Sequence, residues 1–387
     1  MEGDFIKTNK WLLPFSWLYG LGVNLRNTLF NMGVLKSRSF DIPVISVGNI
    51  TVGGTGKTPH VEYLVRLLQD QFHVAVLSRG YKRKSKGFIK ATADTKMPTI
   101  GDEPYQMKQK FPLATIAVDK NRCHGIDRLT ADDDTLDVIL LDDAFQHRYV
   151  KPGINILLVD YHRLIIYDEL LPAGRLREPL NGKDRADIVI VTKCPKDLKP
   201  MEFRVITKAM NLYPYQQLFF TTIEYDQQLH PVFQDVQGTK NLDELKGFNV
   251  LLLTGIGSPQ QVKHDLEPLV ESITPLTFAD HHQFNEKDVK LINDTLASMP
   301  SPRLIITTEK DATRLQETAG LSTLVRTNLY YLPIHVCFML KQGDTFNTYI
   351  INYVHKNSRN GILAESKDDH KPDDSHCAGD RPRTISF

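Results

Sequence analysis

Val44-Ile45-Ser46-Val47-Gly48-Asn49-Ile50-Thr51-Val52-Gly53-Gly54-Thr55-Gly56-Lys57-Thr58-Pro59 decides the fold: an aliphatic strand runs into a glycine-rich loop, and a helical stretch follows from Pro59 to Leu68. Glycines let backbone N–H groups turn inward around phosphate oxygens, and the positive end of the following helix adds to that attraction. Lys57 is placed to reach the β- and γ-phosphates of a nucleoside triphosphate, and Thr58 to ligate Mg²⁺. Thr51, Val52, Gly53, Gly54, Thr55, Gly56, Lys57, Thr58 and Pro59 thus form the candidate nucleoside-triphosphate-binding loop. Its spacing departs from the usual pattern once, because Thr51 stands five positions before Gly56, where a glycine is expected. The crowding of Gly53, Gly54 and Gly56 still supplies the flexible turn.

Working outward, short aliphatic runs recur at Val74 to Leu77, Ala114 to Val118, Val138 to Leu141, Ile154 to Val159 and Ile188 to Val191, alternating with helical stretches. Continuous apolar runs mark parallel strands buried on both faces. The expected fold is α/β: a P-loop NTPase core with a doubly wound, mostly parallel sheet. Phe219 to Tyr225 and His230 to Phe233, parted by a polar turn, read as a β-hairpin linker. Val250 to Leu253, Leu304 to Thr307 and Tyr331 to Met339 then build a second, smaller α/β domain. A chain of 387 residues suits two domains with a cleft between them. The expected divisions are an interfacial helix over 1–38, a P-loop core over 39–217, a linker over 218–234, the smaller domain over 235–355 and a polar, disordered tail over 356–387.

Charge and cysteine usage exclude several classes. With 47 basic against 46 acidic residues there is no bulk field to gather nucleic acid. Cys123, Cys194, Cys337 and Cys377 lie far apart without a CxxC pair, which argues against a zinc site or a disulfide framework and fits a reducing cytoplasm. Between Lys10 and Lys36 the only charge is Arg26, yet Pro14, Gly20 and Gly22 interrupt the ~20 apolar residues that a spanning helix wants. Ser16, Gly20, Asn24, Asn27 and Asn31 recur at steps of three or four and form one weakly polar stripe. That pattern, with Trp11, Trp17 and flanking basic residues, suits a helix lying in an anionic membrane surface. A helix packed on the protein's own core gives the same pattern. The run from Arg79 to Lys90 carries six basic residues and no acid, and serves either as a solvated loop or as a contact for anionic headgroups.

Val138-Ile139-Leu140-Leu141-Asp142-Asp143 ends a buried strand in two carboxylates, where open α/β sheets place their sites. Asp142, with Asp143 beside it, is the candidate Mg²⁺ partner of Thr58. Thr192-Lys193-Cys194-Pro195 looks like a guanine-reading loop, but Pro195 stands where the base-reading aspartate belongs. Asp102, just before Glu103-Pro104, reads equally as a helix N-cap or as a functional acid. To this point ATPase, GTPase, kinase and nucleotide-binding module stay open.

Further motifs narrow the choice. Gly101-Asp102-Glu103-Pro104, Asp142-Asp143-Ala144-Phe145-Gln146-His147, Leu171-Pro172-Ala173-Gly174-Arg175-Leu176-Arg177-Glu178-Pro179, Gly255-Ile256-Gly257-Ser258-Pro259, Phe278-Ala279-Asp280-His281 and Thr308-Glu309-Lys310-Asp311-Ala312 together resemble the tetraacyldisaccharide 4′-kinases that make lipid A in Gram-negative bacteria. The resemblance runs from about Trp11 to about Val354, and that family's loop also carries threonine where Thr51 stands. It implies transfer of the γ-phosphate of ATP, with Mg²⁺, to the 4′-hydroxyl of a tetraacylated glucosamine disaccharide 1-phosphate at the cytoplasmic face of the inner membrane. It maps a catalytic base onto Asp102, assisted by His281, with Lys57 on the phosphates. Arg122, Arg175 and Arg177 are candidates for the transferring phosphate or for the substrate's own. With Asp102 in the first domain and His281 in the second, the dyad would form only on closure about the linker.

Overall fold

The computed structural model describes residues 8–233, 235–236, 238–255, 259–279 and 282–358. The tail expected over 356–387 lies outside them from residue 359, as do residues 1–7, while 356–357 are helical instead. After helix α1 (Leu13–Asn31), strand β1 (Val44–Gly48) leads through the glycine-rich loop into α2 (Lys57–Leu68). There follow β2 (Val74–Ser78), β3 (Ile89–Lys90), α3 (Met97–Ile100), α4 (Asp102–Lys110), β4 (Thr115–Val118), α5 (Arg122–Asp132), β5 (Val138–Asp142), β6 (Ile154–Asp160), β7 (Ile188–Thr192), α6 (Pro200–Met210) and β8 (Gln217–Tyr225). A second series comprises β9 (Gln228–Pro231), β10 (Lys240–Asn241), β11 (Asn249–Thr254), α7 (Pro259–Leu266), β12 (Ser272–Thr277), α8 (Glu286–Ser298), β13 (Arg303–Thr308), α9 (Glu309–Gln316), α10 (Thr323–Asn328) and β14 (Leu329–Leu332). β15 (Ile334–Phe338) and α11 (Gly343–Asn357) follow.

The strands form a nine-stranded sheet, β15-β8-β7-β6-β1-β5-β2-β4-β3, and a six-stranded sheet, β10-β9-β14-β13-β11-β12. In the larger sheet β1 pairs in parallel with β5 on one side and β6 on the other, so the glycine-rich loop leaves from its centre. Every residue of β1, β2, β5 and β7 is buried, as the unbroken aliphatic runs require. One face packs on α2, α4 and α11 through Leu64, Leu68, Met107, Phe346 and Ile350. The other packs on α5 through Ile126 and Leu129, and on α6 through Phe203 and Ile206. The sheet is therefore doubly wound, as expected.

Two sequence-based expectations need correction. The runs read as a hairpin do not pair with each other: β8 completes the large sheet beside β7, and β9 joins the small sheet against β14. Likewise Tyr331 to Met339 is two strands. Pro333 interrupts it, and β14 lies in the small sheet while β15 returns to pair antiparallel with β8. Proline cannot donate to a strand ladder, so it marks the point where the chain changes sheets. The two crossings run side by side, with the Asp226 N–H donating to the Pro333 carbonyl at 3.0 Å.

Helix α1 docks with its polar stripe inward. Ser16 Oγ donates to the Leu170 carbonyl at 2.9 Å and accepts from the Ala173 N–H at 3.0 Å. Asn27 donates to Glu178 at 3.3 Å, and Arg148 donates to the Asn27 carbonyl at 3.0 Å and to Asn31 at 2.7 Å. Gly20 lets the helix approach closely there, since a Cβ would stand 2.7 Å from Leu170 Cδ1 and the leucine would have to shift. Asn24 of the expected stripe lies exposed instead. Trp11 is 91% exposed, Trp17 76%, Leu18 71% and Leu21 67%, so the apolar face covers no part of the protein's core. Among the described residues no helix is long and apolar enough to cross a membrane.

The return of β15 and α11 to the large sheet makes a measurable demand. Phe346, 1% exposed, stacks on Phe338 with centroids 4.5 Å apart and meets Phe219 edge-on at 5.4 Å. Phe346→Ala is expected to lower the unfolding free energy by about 3–5 kcal/mol in urea titration.

Candidate active site

The glycine-rich loop is held from several directions. Gly53 and Gly56 have φ of +122° and +82°, which explains glycine at both. Thr51 does not need that freedom. It pairs with Leu176 in an antiparallel bridge, flanked by Arg177 N–H to Ile50 carbonyl at 2.7 Å and Val52 N–H to Arg175 carbonyl at 2.8 Å. Extended backbone suits threonine, so the departure from the usual spacing follows from this pairing. Inside the loop, Asn49 Nδ2 donates to Thr55 Oγ1 at 2.7 Å, and Gln146 donates to the Asn49 carbonyl.

Thr192 and Lys193, the residues that looked like part of a guanine-reading loop, brace the same structure from the end of β7. Thr192 Oγ1 donates to the Thr55 carbonyl at 3.0 Å. Lys193 Nζ donates to the Gly54 carbonyl and pairs with Asp160 at 2.7 Å. Sequence reasoning missed this bracing role.

Asp142 is 1% exposed at the carboxyl end of β5, adjacent to β1. Its Oδ2 accepts from Ser78 Oγ at 3.1 Å, while its Oδ1 has no hydrogen-bond partner. Burial, then the charges of Glu103 and Asp143, push its carboxyl up to about 7 against the pull of Lys57 and Ser78. Asp143, at φ +48°, places Oδ1 3.6 Å from both Lys57 Nζ and Arg177 Nη1, and this oxygen too is buried without a hydrogen bond. Two carboxylate oxygens without a hydrogen bond near the lysine of a phosphate loop fit a divalent cation. Among the described residues no group of three or more His, Cys, Asp or Glu could cage a metal alone. Mg²⁺ suits such a site, since it takes one or two carboxylates and completes its shell with water and phosphate. Thr58, Asp142 and Asp143 are the residues that would hold it.

The three arginines separate. The 175–177 segment runs beside the loop, and Arg175 Nη1 lies 3.9 Å from where a Gly53 Cβ would stand. Arg177 faces Asp143, as above. Arg122 is different: it is 2% exposed, and its two terminal nitrogens donate to the Asp119 carbonyl at 2.6 Å and the Asp142 carbonyl at 2.9 Å. Burial brings its guanidinium down to about 10. This is a clamp on the backbone that carries Asp142.

Asp102 is the first residue of α4, and the cap position belongs to Gly101 at φ +96°. Its Oδ2 therefore faces another partner, Arg314 Nη2 of α9, at 2.5 Å. Next to it, Glu103 pairs with Lys310 at 3.4 Å. His281 lies outside the described residues. Its neighbour His282 pairs with Asp288 at 2.8 Å and stacks on Phe278, a structural role at the start of α8.

The clamp reading of Arg122 is testable. Arg122→Leu leaves two buried carbonyls without a donor and is expected to cost about 3 kcal/mol of folding free energy, read by denaturant titration. An exposed phosphate ligand would show an unchanged midpoint.

The chain is similar to known proteins over nearly its whole length. The family profile described as tetraacyldisaccharide-1-P 4′-kinase matches residues 8–354. A tetraacyldisaccharide 4′-kinase of Phocaeicola vulgatus is 59% identical over 93% of this chain and 99% of its own length. One from Bacteroides thetaiotaomicron is 52% identical over 96% of this chain and 100% of its own. The crystal structure of an LpxK from Aquifex aeolicus in complex with ATP superposes with a TM-score of 0.69 at 32% identity, covering 89% of this chain and 98% of that one. With a matching profile over nearly its whole length and relatives above half identity, the chain belongs to the tetraacyldisaccharide 4′-kinase family.

Proposed function

We propose that the chain transfers the γ-phosphate of ATP to the 4′-hydroxyl of a tetraacylated glucosamine disaccharide 1-phosphate, a step of lipid A biosynthesis. The observation that carries this reading is the meeting of Lys57, Asp143 and Arg177 at 3.6 Å separations beside the loop that holds phosphates. Lys57 and the loop N–H groups grip the β- and γ-phosphates, and Arg177 and Arg175 meet the charge on the transferring group. Thr58, Asp142 and Asp143 would hold Mg²⁺, which when bound would supply positive charge against the phosphates. The acceptor oxygen forms its bond to phosphorus as the bond to the β-phosphate bridging oxygen breaks and ADP leaves. The hydroxyl proton passes to the Asp102 carboxylate, assisted by His281.

The substrate's acyl chains stay in the membrane, so the enzyme must come to them. The outward apolar face of α1 suits insertion into the headgroup layer, with Trp11 and Trp17 at the interface. Arg79, Lys82, Lys84, Lys86 and Lys90 are exposed and supply positive charge toward anionic lipid. Arg83 is the exception, since it donates to the Gly87 carbonyl at 2.6 Å and shapes the loop. Because α1 also touches the active segment, Tyr19 donating to the Arg177 carbonyl at 2.8 Å, the bound surface lies close to the transferring phosphate. The face is the cytoplasmic one of the inner membrane, where ATP is available.

The deciding assay is transfer of labelled γ-phosphate from ATP to the acylated disaccharide 1-phosphate in detergent micelles with Mg²⁺. Lipid product is expected from the wild type, none from Lys57→Ala, and a fall of about 10²-fold or more in kcat for Asp102→Ala with ATP affinity retained. Phosphate released to water without lipid product would refute the kinase reading.

Membrane docking is checked separately by vesicle co-sedimentation. Trp17→Ser with Leu21→Ser removes exposed apolar area only, so the protein should stay folded while its partition to anionic vesicles drops by about ten-fold or more.

A further inference from the structure

Helix α9, which follows β13 of the six-stranded sheet, lies against α4 of the nine-stranded one, and ion pairs cross between them. Arg314 Nη2 meets Asp102 Oδ2 at 2.5 Å, Lys310 meets Glu103 at 3.4 Å, and Lys110 meets Glu309 at 2.7 Å. Arg314 is 5% exposed. Its other terminal nitrogen, Nη1, holds Asp311 Oδ1 at 2.9 Å. Asp311, fully buried, accepts in turn from the Gly255 N–H at 2.8 Å and from Thr308 Oγ1 at 2.7 Å. Gly255 must be glycine for this approach, as a Cβ would stand 2.9 Å from Asp311 Oδ1.

A contact whose only task was to join the two sheets would be cheaper if apolar. Burying charged pairs costs desolvation that their attraction often fails to recover. This chain of contacts instead connects the acid on α4 with the backbone that leaves β11. The guanidinium is planar and bonds both carboxylates with a fixed fork, a geometry that a lysine ammonium does not impose. A cation beside a carboxylate also favours its charged form, which a proton acceptor needs. Phosphoryl transfer asks little basicity and much alignment of the group that receives the proton.

We propose that Arg314, itself oriented by Asp311, is the positioning residue that aims the Asp102 carboxylate at the acceptor hydroxyl. This rests on the reading of Asp102 as the proton acceptor. It makes alignment of that acid depend on the six-stranded sheet being seated against α4.

The test is a double-mutant cycle on the full-length protein, with labelled ATP and the acylated disaccharide 1-phosphate in micelles. Arg314→Ala and Arg314→Lys are made in the wild type and in Asp102→Asn, with ATP affinity and thermal midpoint measured for each. Arg314→Ala is expected to lower kcat about 10²-fold, the usual cost of a misplaced group, with the ATP constant changed by less than about three-fold. In the Asp102→Asn background the same change should alter residual turnover by less than about three-fold, because Arg314 acts through that acid. Should Arg314→Ala fold poorly, Asp311→Asn releases the guanidinium without removing it and should show the same non-additivity. Full activity of Arg314→Ala, or an undiminished loss in Asp102→Asn, overturns the proposal. Full activity of Asp102→Asn alone would instead overturn the reading of Asp102 on which it stands.

Discussion

Concentrated negative charge at the carboxyl end of β5 is the constraint around which the structure is arranged. Asp142 is almost wholly buried there, with Asp143 next to it and the charge of Glu103 felt from α4. Left alone, such a group would take up protons or open to water. The fold answers with fixed cations: Lys57 from the phosphate loop and Arg177 from the antiparallel segment beside it, while the Arg122 guanidinium clamps the Asp142 carbonyl. The carboxylate oxygens left without a hydrogen bond, Asp142 Oδ1 and Asp143 Oδ1, are of the kind a divalent cation would take, since Mg²⁺ uses one or two carboxylates and fills the rest of its shell from elsewhere.

That balance needs the 175–177 segment in place, and the segment is in turn held by α1. Ser16 bonds Leu170 and Ala173 just before it, Tyr19 bonds the Arg177 carbonyl, and Asn27 bonds Glu178 just after it. A helix that spends its polar groups on the protein has only its apolar face left for the surroundings. This inverts the usual arrangement of a surface helix, in which the apolar stripe faces the core. The inversion links whatever covers α1 to the segment that carries the phosphate-facing arginines.

Much of this was legible in the chain because buried parallel strands write themselves as aliphatic runs. β1, β2, β5, β6 and β7 were each located within a residue or two, and the strand–loop–helix unit fixed where the phosphates go. What escaped has physical reasons. β12, at the edge of the small sheet, is half polar and carries Pro275, so it has neither an aliphatic run nor alternation. Tyr331 to Met339 is apolar apart from His335, and only Pro333 betrays the change of sheet. Arginine spacing says nothing of burial, so the buried Arg122, whose two terminal nitrogens donate to carbonyls, could not be told apart from the exposed Arg175. Arg314 lay just past the last recognisable motif residue, Ala312. Its signal was present in the helix pattern, since Asp311, Ala312 and Leu315 share the buried side of α9 and draw Arg314 in with them.

Lys110 shows why so many charges are buried where the two sheets meet. Its ammonium pairs at 2.7 Å with Glu62 on the helix that follows the phosphate loop and at 2.7 Å with Glu309 on α9, while Gln106 of the same helix donates to Glu62 at 2.8 Å. One half-buried cation on α4 thus ties together the phosphate-loop helix, the helix that opens with Asp102 and the helix of the second sheet. Apolar packing would hold three helices together but would tolerate sliding, because it is non-directional. Hydrogen-bonded charges tolerate far less, since a small shift leaves a buried group unpaired at a cost of 1–3 kcal/mol or more. With Asp102 as the proton acceptor we propose, the reaction depends on the distance between α2 and α4. The polar seam is the device that sets that distance.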